Sequence, residues 1–291
     1  MQTRPLSCCA PPVAAVGLGA MPLSLQGRPD EADAIGVIHA ALDSGMTLVD
    51  TADVYCLDDT DVGHNERLVA KAVRTWGGQR DDVHVATKCG MIRPGGRWER
   101  DGRPEQLRKA CERSLAALGV ERIALYQLHA PDPAVPFAES VGALADLKRE
   151  GKIRWVGLSN VTVEEIREAA AIVPIASVQN RLSPFFREAI ETGVVTHCAR
   201  QGIGFLAYSP VGGGRLNLKL PAMETLRPIA EAHGASPHAV VLAWVLAQGP
   251  TVIAIPGART VAHALDSAGA AEITLSPDEL AAIDHAEFSR D

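Results

Sequence analysis

The sequence predicts an α/β protein, a (β/α)8 TIM-type barrel in a single domain covering residues 1–291. Three observations lead there. Short β-branched or apolar runs alternate with longer amphipathic stretches about eight times. No long linker or shift in composition interrupts the alternation. The 291 residues, 47% of them hydrophobic, suffice for the large core of such a barrel, which folds as one unit of ~250 residues. An open doubly wound sheet is the competing architecture. It requires a reversal of strand order, and a glycine-rich dinucleotide turn would favour it. Gly17-Leu18-Gly19 begins such a turn, but Pro22 occupies the third glycine position and the pattern fails.

The elements follow in order. Strands are expected near Val13–Gly17, Thr47–Val49, Val83–Ala86, Ala124–Leu128, Ile153–Gly157, Ile175–Val178, Gly204–Ala207 and Thr251–Ala254. Each is a short apolar run of the kind that a parallel sheet buries on both faces. Helices are expected over Glu31–Ser44, Glu66–Trp76, Pro104–Leu118, Pro136–Arg149, Val163–Ala171, Pro184–Arg200, Pro237–Leu246 and Val261–Gly269. Pro136 and Pro237 suit a first helical turn, and Gly45, Gly119 and Gly151 sit where helices end. His64, Asn65 and Glu66 read as a helix N-terminus. A last helix, Pro277–Ala286, follows Ser276, an N-cap with Glu279 in the capping-box position.

Composition excludes several classes. The net charge is −7, from 28 basic and 35 acidic residues, and the basic ones are scattered, so nucleic acid is not an expected partner. No apolar run reaches the ~18 residues of a membrane span. The N-terminal apolar stretch is broken by Pro11, Pro12, Gly17 and Gly19, which makes a poor signal peptide. The six cysteines, Cys8, Cys9, Cys56, Cys89, Cys111 and Cys198, lack CxxC spacing and read as free thiols in a reducing cytoplasm. The nine histidines show no paired ligand spacing, so no metal site is expected. Oligomeric state is not legible.

Four polar side chains stand just after apolar runs: Asp50 and Tyr55 in TLVDTADVY, Lys88 in VHVATKCG, and His129 in IALYQLHAP. In a barrel, chemistry sits at the carboxyl ends of the strands, which is where these four fall. Their types make a tuned proton donor. A free phenol, with a pKa of about 10, is a weak acid near neutrality. An adjacent lysine ammonium favours the phenolate, and a carboxylate keeps that lysine charged. A histidine can hydrogen-bond the acceptor oxygen. Such a phenol can protonate a developing oxyanion, worth roughly 10²–10⁴-fold, but it cannot supply a hydride, so a cofactor must.

At these residues the chain resembles the aldo-keto reductases. GMTLVDTADVY, VATKCG, LYQLHAPDP, GKIRWVGLSN, VQNRLSP, LAYSPVGGG and IAIPGAR each resemble a family motif in the family's order, from about Val16 to Ile283. The resemblance implies a (β/α)8 barrel that binds NADPH/NADP+ without a Rossmann domain and reduces a small-molecule carbonyl substrate. It implies Tyr55 as general acid, Lys88 and Asp50 as its tuners and His129 as the group that orients the carbonyl. Ser159, Asn160 and Gln179 match the nicotinamide carboxamide positions, and Tyr208 the aromatic that stacks on the ring. Ser209, Pro210, Val211 and Gly213 match the pyrophosphate strap, and Gly19, Ala20 and Met21 are implied on the cofactor side of the first strand. Ile255, Pro256, Gly257, Arg259, His263, Asp266 and Ser267 match the adenosine end. There Arg259 offers a fork to a 2′-phosphate, and no acidic residue lies between Ile255 and Val261 to prefer a free ribose hydroxyl.

Departures accompany the match. His263 replaces an expected Arg or Gln, and Ser267 an expected Asn, which weakens the grip on the adenosine end. Met21, Val54, Tyr55, Cys56 and His129 would line the substrate pocket, with Cys56 narrowing it slightly. The chain stops soon after its last helix, without the loop that walls the pocket in many relatives, so an open pocket is expected. Trp98 and the stretch Arg93–Arg103 read as a surface loop. The region Gly96–Pro136 resembles a bacterial subgroup that includes pyridoxal reductases. Two other classes stay in view: a non-catalytic nicotinamide-sensing barrel, and an aldolase using Lys88 as a Schiff base.

Overall fold

The computed structural model describes residues 1–7 and 10–291; Cys8 and Cys9 lie outside the described residues. Among the described residues twelve strands are present: β1 (Thr3–Arg4), β2 (Val13–Ala14), β3 (Leu18–Gly19), β4 (Leu48–Asp50), β5 (His84–Cys89), β6 (Met91–Ile92), β7 (Glu99–Arg100), β8 (Ile123–Leu128), β9 (Ile153–Ser159), β10 (Ile175–Arg181), β11 (Gly204–Tyr208) and β12 (Val252–Ala254). The helices are α1 (Glu31–Asp43), α2 (His64–Thr75), α3 (Pro104–Leu118), α4 (Phe137–Arg149), α5 (Val163–Ala170), α6 (Glu188–Glu191), α7 (Val194–Gln201), α8 (Gly213–Leu216), α9 (Leu226–His233), α10 (Pro237–Ala247), α11 (Val261–Gly269) and α12 (Pro277–His285).

Eight parallel strands run in the order β3, β4, β5, β8, β9, β10, β11, β12. The ends meet. Val16 pairs with Ala254 and Gly19 with Gly257, and Gly17 and Gly19 donate their N–H groups to the carbonyls of Ala254 and Pro256 at 2.8 and 2.9 Å. The sheet therefore closes into a (β/α)8 barrel and leaves no exposed edge.

Leu48, Ala86, Leu125, Trp155, Ala176, Leu206 and Ile253 fill its interior with one apolar layer. Leu6, two residues after β1, and Val13 of β2 join the same cluster. A second, larger core lies between the strands and the helices. No helix among the described residues is long and apolar enough to cross a membrane.

Three expected boundaries change. The first barrel strand is Leu18–Gly19, while Val13–Ala14 pairs instead with Thr3–Arg4. Close approach explains the shift, because a Cβ at Gly17 would stand 2.8 Å from the Leu48 carbonyl oxygen and one at Gly19 2.7 Å from that of Ile255. The expected helix Pro184–Arg200 is two helices, α6 and α7, broken at Gly193, whose φ of 77° no helix accommodates. The expected surface loop Arg93–Arg103 includes the strand β7, which pairs with β6 just before the loop in a hairpin that follows the strand of Lys88 directly. Helix α9 went unanticipated. The Ser276–Glu279 capping box forms as expected, and a second one, Thr162–Glu165, opens α5.

Candidate active site

Strand ends deliver the four expected side chains to one mouth of the barrel. Asp50 ends β4, Lys88 lies near the end of β5, and His129 follows β8. Tyr55 sits in the turn after β4, where its N–H donates to the Ala52 carbonyl at 3.2 Å. The fully buried Lys88 Nζ donates to Asp50 Oδ1 at 2.5 Å, to the Thr51 carbonyl at 2.9 Å and to the Tyr55 hydroxyl at 3.0 Å. His129 meets the Tyr55 ring edge-on, with centroids 5.8 Å apart.

Electrostatics assign the protonation states. Burial pulls the Lys88 ammonium down, but Asp50 and Tyr55 outweigh it and hold Lys88 above the ordinary lysine value. Lys88 is thus a cation. A Schiff-base lysine must attack as a neutral amine, so this geometry disfavours the aldolase. Burial also raises Tyr55 above an ordinary phenol, with Lys88 opposing and Asp50 adding to the rise. The lowering expected from Lys88 is therefore overridden, because the phenolate would be desolvated and close to a carboxylate. Burial and the Lys88 charge push His129 well below an ordinary histidine, so its ring is neutral. Its Nδ1 has no hydrogen-bond partner among the described residues.

A polar layer continues beneath these groups. Asp50 Oδ2 accepts from Gln179 Nε2 at 2.8 Å and from Gln127 Nε2 at 3.2 Å. Gln179, expected at the carboxamide, thus also holds Asp50. Asn160 Nδ2 donates to the His129 carbonyl at 2.9 Å and to Ser159 Oγ at 3.1 Å, and Asn160 Oδ1 accepts from the Tyr208 hydroxyl at 2.8 Å. Asn160 and Ser209 are the only non-glycine residues with positive φ among the described ones, at 59° and 49°. Such backbone is uncommon and clusters where a site requires it. Both residues belong to the expected cofactor set.

The rest of that set lies on and just after β3, in the turn after β11, and from the end of β12 into α11. Ser209 to Gly213 form a turn in which Gly212 donates to the Ser209 carbonyl at 2.9 Å, and Gly212 and Gly213 have φ of 90° and 80°. Pro210 is buried and Val211 half-buried there. A Cβ at Gly214, just past the strap in α8, would meet nothing within 4 Å, so space is open beside the backbone there. That space suits the close approach of a phosphate.

On the closing side, Ala20 N–H donates to the Asp50 carbonyl at 2.8 Å, and Met21 is exposed. Ile255 and Pro256 are buried, and Gly257 is required by Pro22, which a Cβ would meet at 2.6 Å. Thr260 caps α11, placing exposed Arg259 and His263 at that helix's start. Arg259 donates to the Gln26 carbonyl at 3.1 Å. Asp266 accepts from Ser236 Oγ at 2.7 Å, an interhelical contact, and Ser267 is buried.

The pocket itself differs from expectation. Val54 and Cys56 are buried, and the Cys56 thiol donates to the Val54 carbonyl at 3.3 Å, so Cys56 offers no surface that would narrow a pocket. Nor is the mouth simply open. Hairpin β6–β7 brings Trp98 to 6.4 Å from both the Tyr55 and His129 rings, edge-on to each. Arg93, largely buried, lies 4.0 Å over the indole and donates to the Leu57 carbonyl at 3.0 Å.

Trp98 and Gln127 are the site residues missed from sequence. Gln127 carried a signal: it is a polar residue in an apolar strand, two before His129 and so on the same face. Trp98 carried none, since a glycine-rich polar stretch surrounds it.

Known proteins match this architecture. The pattern that defines the aldo/keto reductase family covers residues 15–287. A probable aldo-keto reductase 1 from Glycine max is 36% identical over 297 residues, 92% of this chain and 84% of that protein. Among solved structures, the glycerol dehydrogenase AKR11B4 from Gluconobacter oxydans superposes with a TM-score of 0.84 at 32% identity, covering 97% of this chain and 94% of its own. An aldo/keto reductase from Klebsiella pneumoniae, in complex with NADP and acetate, superposes with a TM-score of 0.81 at 28% identity, covering 98% and 95%. By sequence pattern across nearly its whole length, and by a barrel shared with those structures, this chain belongs to the aldo/keto reductase family.

Proposed function

We propose that this protein reduces an aldehyde or ketone to the alcohol, with NADPH as the hydride donor and Tyr55 as the general acid. The observation that carries the reading is the Lys88 ammonium, 3.0 Å from the Tyr55 hydroxyl and 2.5 Å from Asp50. Ser159, Asn160 and Gln179 would hold the carboxamide and Tyr208 would stack on the nicotinamide. The turn from Ser209 to Gly213 would hold the pyrophosphate, and Arg259 and His263 the 2′-phosphate. NADPH, when bound there, supplies the hydride.

Everything else is the work of this chain's side chains. Tyr55, held protonated by burial, donates its proton to the carbonyl oxygen as negative charge develops on it. The resulting phenolate lies beside the Lys88 ammonium, which stabilises it by direct hydrogen bonding. Asp50 keeps that ammonium charged, and Gln127 and Gln179 hold Asp50 in place. Neutral His129 is a donor that polarises the carbonyl without adding a charge. Trp98 covers the mouth and favours flat substrates.

Loss of NADPH absorbance tests the reading, using aliphatic and aromatic aldehydes and pyridoxal, with NADH as the control. Aldehyde-dependent oxidation of NADPH is expected. Tight NADPH binding with no turnover of any carbonyl would instead mark a nicotinamide-sensing barrel.

A further inference from the structure

Among the described residues, two lysine or arginine side chains are buried, Lys88 at 0% exposure and Arg93 at 7%. The structure treats them oppositely. Lys88 has the Asp50 carboxylate at 2.5 Å. Arg93 pairs with no carboxylate among the described residues. Its Nη2 donates to the Leu57 carbonyl at 3.0 Å, while Nε and Nη1 are buried without a hydrogen-bond partner among those residues. The face of the Trp98 indole, 4.0 Å from Arg93 Cζ, is the remaining compensation. A guanidinium keeps its charge when buried, and a ring face returns less to it than an anion would.

Acids close by in the sequence are engaged elsewhere. In the turn after Leu57, Asp58 accepts from the Thr60 N–H at 2.9 Å and from its hydroxyl at 2.6 Å. Asp59 accepts from the Gly95 N–H at 3.3 Å, and Asp61 from Arg28 at 2.7 Å. That turn and the segment after β6 are fitted to each other, since a Cβ at Gly96 would stand 3.2 Å from the Leu57 carbonyl oxygen. Arg93 is therefore held in place with the donors of two nitrogens unspent. A single indole separates it from the reacting groups. The Trp98 ring that covers Arg93 also stands edge-on to Tyr55 and His129, 6.4 Å from each.

We propose that Arg93 is a specificity residue, which receives an anionic group, carboxylate or phosphate, that the carbonyl substrate carries about one aromatic ring's width from its carbonyl. The proposal rests on the reductase reading and names the substrate class for it. Trp98 is the cover of this subsite. It is 45% exposed and rides on a hairpin of two two-residue strands, so it turns aside toward water as such a substrate enters. The anion then takes the donors of Nε and Nη1, and charge-assisted hydrogen bonds replace the contact with a ring face. Binding energy gained there, away from the reacting carbon, holds the carbonyl at Tyr55 and His129. A neutral aldehyde leaves Trp98 over Arg93 and gains nothing from the guanidinium.

The test measures kcat/KM with NADPH for two matched pairs, benzaldehyde against meta-carboxybenzaldehyde and pyridoxal against pyridoxal phosphate. In wild type the anionic member of at least one pair should be favoured by about 10-fold or more, the usual worth of a charge-assisted contact. A preference in the first pair alone identifies a carboxylate, and in the second alone a phosphate. Arg93→Gln should abolish the preference, mainly through KM. Trp98→Ala should enlarge it, because the neutral ring loses a contact while the anion finds Arg93 uncovered. That opposite sign keeps the proposal testable even where Arg93→Gln fails to fold. No preference in wild type, a preference that survives Arg93→Gln, or an equal loss for both members of a pair in Trp98→Ala would each overturn it. If no carbonyl compound is turned over, the reductase reading fails by itself. Calorimetric titration in the presence of NADP+ then still decides Arg93. Isophthalate, with two carboxylates across one ring, should bind wild type about 10-fold more tightly than benzoate and lose that advantage in Arg93→Gln. Equal affinities in wild type would contradict the subsite.

Discussion

The Nζ of Lys88 lies 3.0 Å from the hydroxyl of Tyr55, with both side chains buried. That contact links the two halves of the chemistry. Before proton transfer Lys88 donates to a neutral phenol, and afterwards to a phenolate. The second hydrogen bond is the stronger, so the interaction favours the state in which the carbonyl oxygen has been protonated.

Replacing the lysine should therefore cost turnover more than binding. Lys88→Met removes the phenolate's partner and leaves Asp50 buried with only Gln127 and Gln179 as donors. Breaking a buried ion pair in this way typically costs about 3–5 kcal/mol of stability. We expect a lowered denaturation midpoint and kcat reduced by roughly 10² or more, read by chemical denaturation and steady-state kinetics. Unchanged kcat would remove Lys88 from the mechanism.

His129 makes a prediction about acid. Its folded pKa is depressed by burial and by Lys88, so the neutral ring is favoured in the native protein. The stability contributed by neutral His129 is fully present above the ordinary histidine value of about 6.5 and is lost as pH falls through the depressed folded value. Reduction should accordingly show no loss on acidification through about pH 6.5, and His129→Gln should make the thermal midpoint less sensitive to acid below that point. A kinetic limb at the ordinary histidine pKa that disappears in the variant would show a charged, not a neutral, imidazole.

Arg259 tests the adenosine end. A charge-assisted contact to a 2′-phosphate is worth roughly 1.5–3 kcal/mol. Arg259→Ala should raise the NADPH KM about 10- to 100-fold and leave NADH nearly unchanged. Equal losses for both cofactors would assign Arg259 to its Gln26 contact instead.

Trp98 tests the pocket. Its ring stands edge-on to Tyr55 and His129, so a flat substrate at Tyr55 must lie against it. Aromatic contacts of this kind are worth about 0.5–1.5 kcal/mol beyond area burial. Trp98→Ala should lower kcat/KM for aromatic aldehydes by about 2- to 12-fold relative to short aliphatic ones. An equal effect on both classes would make Trp98 structural.

Much of this was legible in the sequence, and the exceptions have physical causes. Eight apolar runs identify the barrel because parallel strands are buried on both faces. Asp50, Tyr55, Lys88 and His129 stand out because each is polar and follows such a run. Gly193 and Gly19 misled the boundaries, since backbone crowding and positive φ are tertiary facts. Trp98 reaches the site only because β6 and β7 pair, and two-residue strands leave no periodicity to read.

The most direct measurement is NADPH-dependent aldehyde reduction by Tyr55→Phe, paired with NADPH binding by fluorescence titration. Phenylalanine keeps the ring beside Trp98 and His129 and removes only the hydroxyl that Lys88 contacts. NADPH should bind with little change while turnover falls by about 10² or more. Turnover near that of the wild type, with binding intact, would contradict Tyr55 as the proton donor and the mechanism built on it.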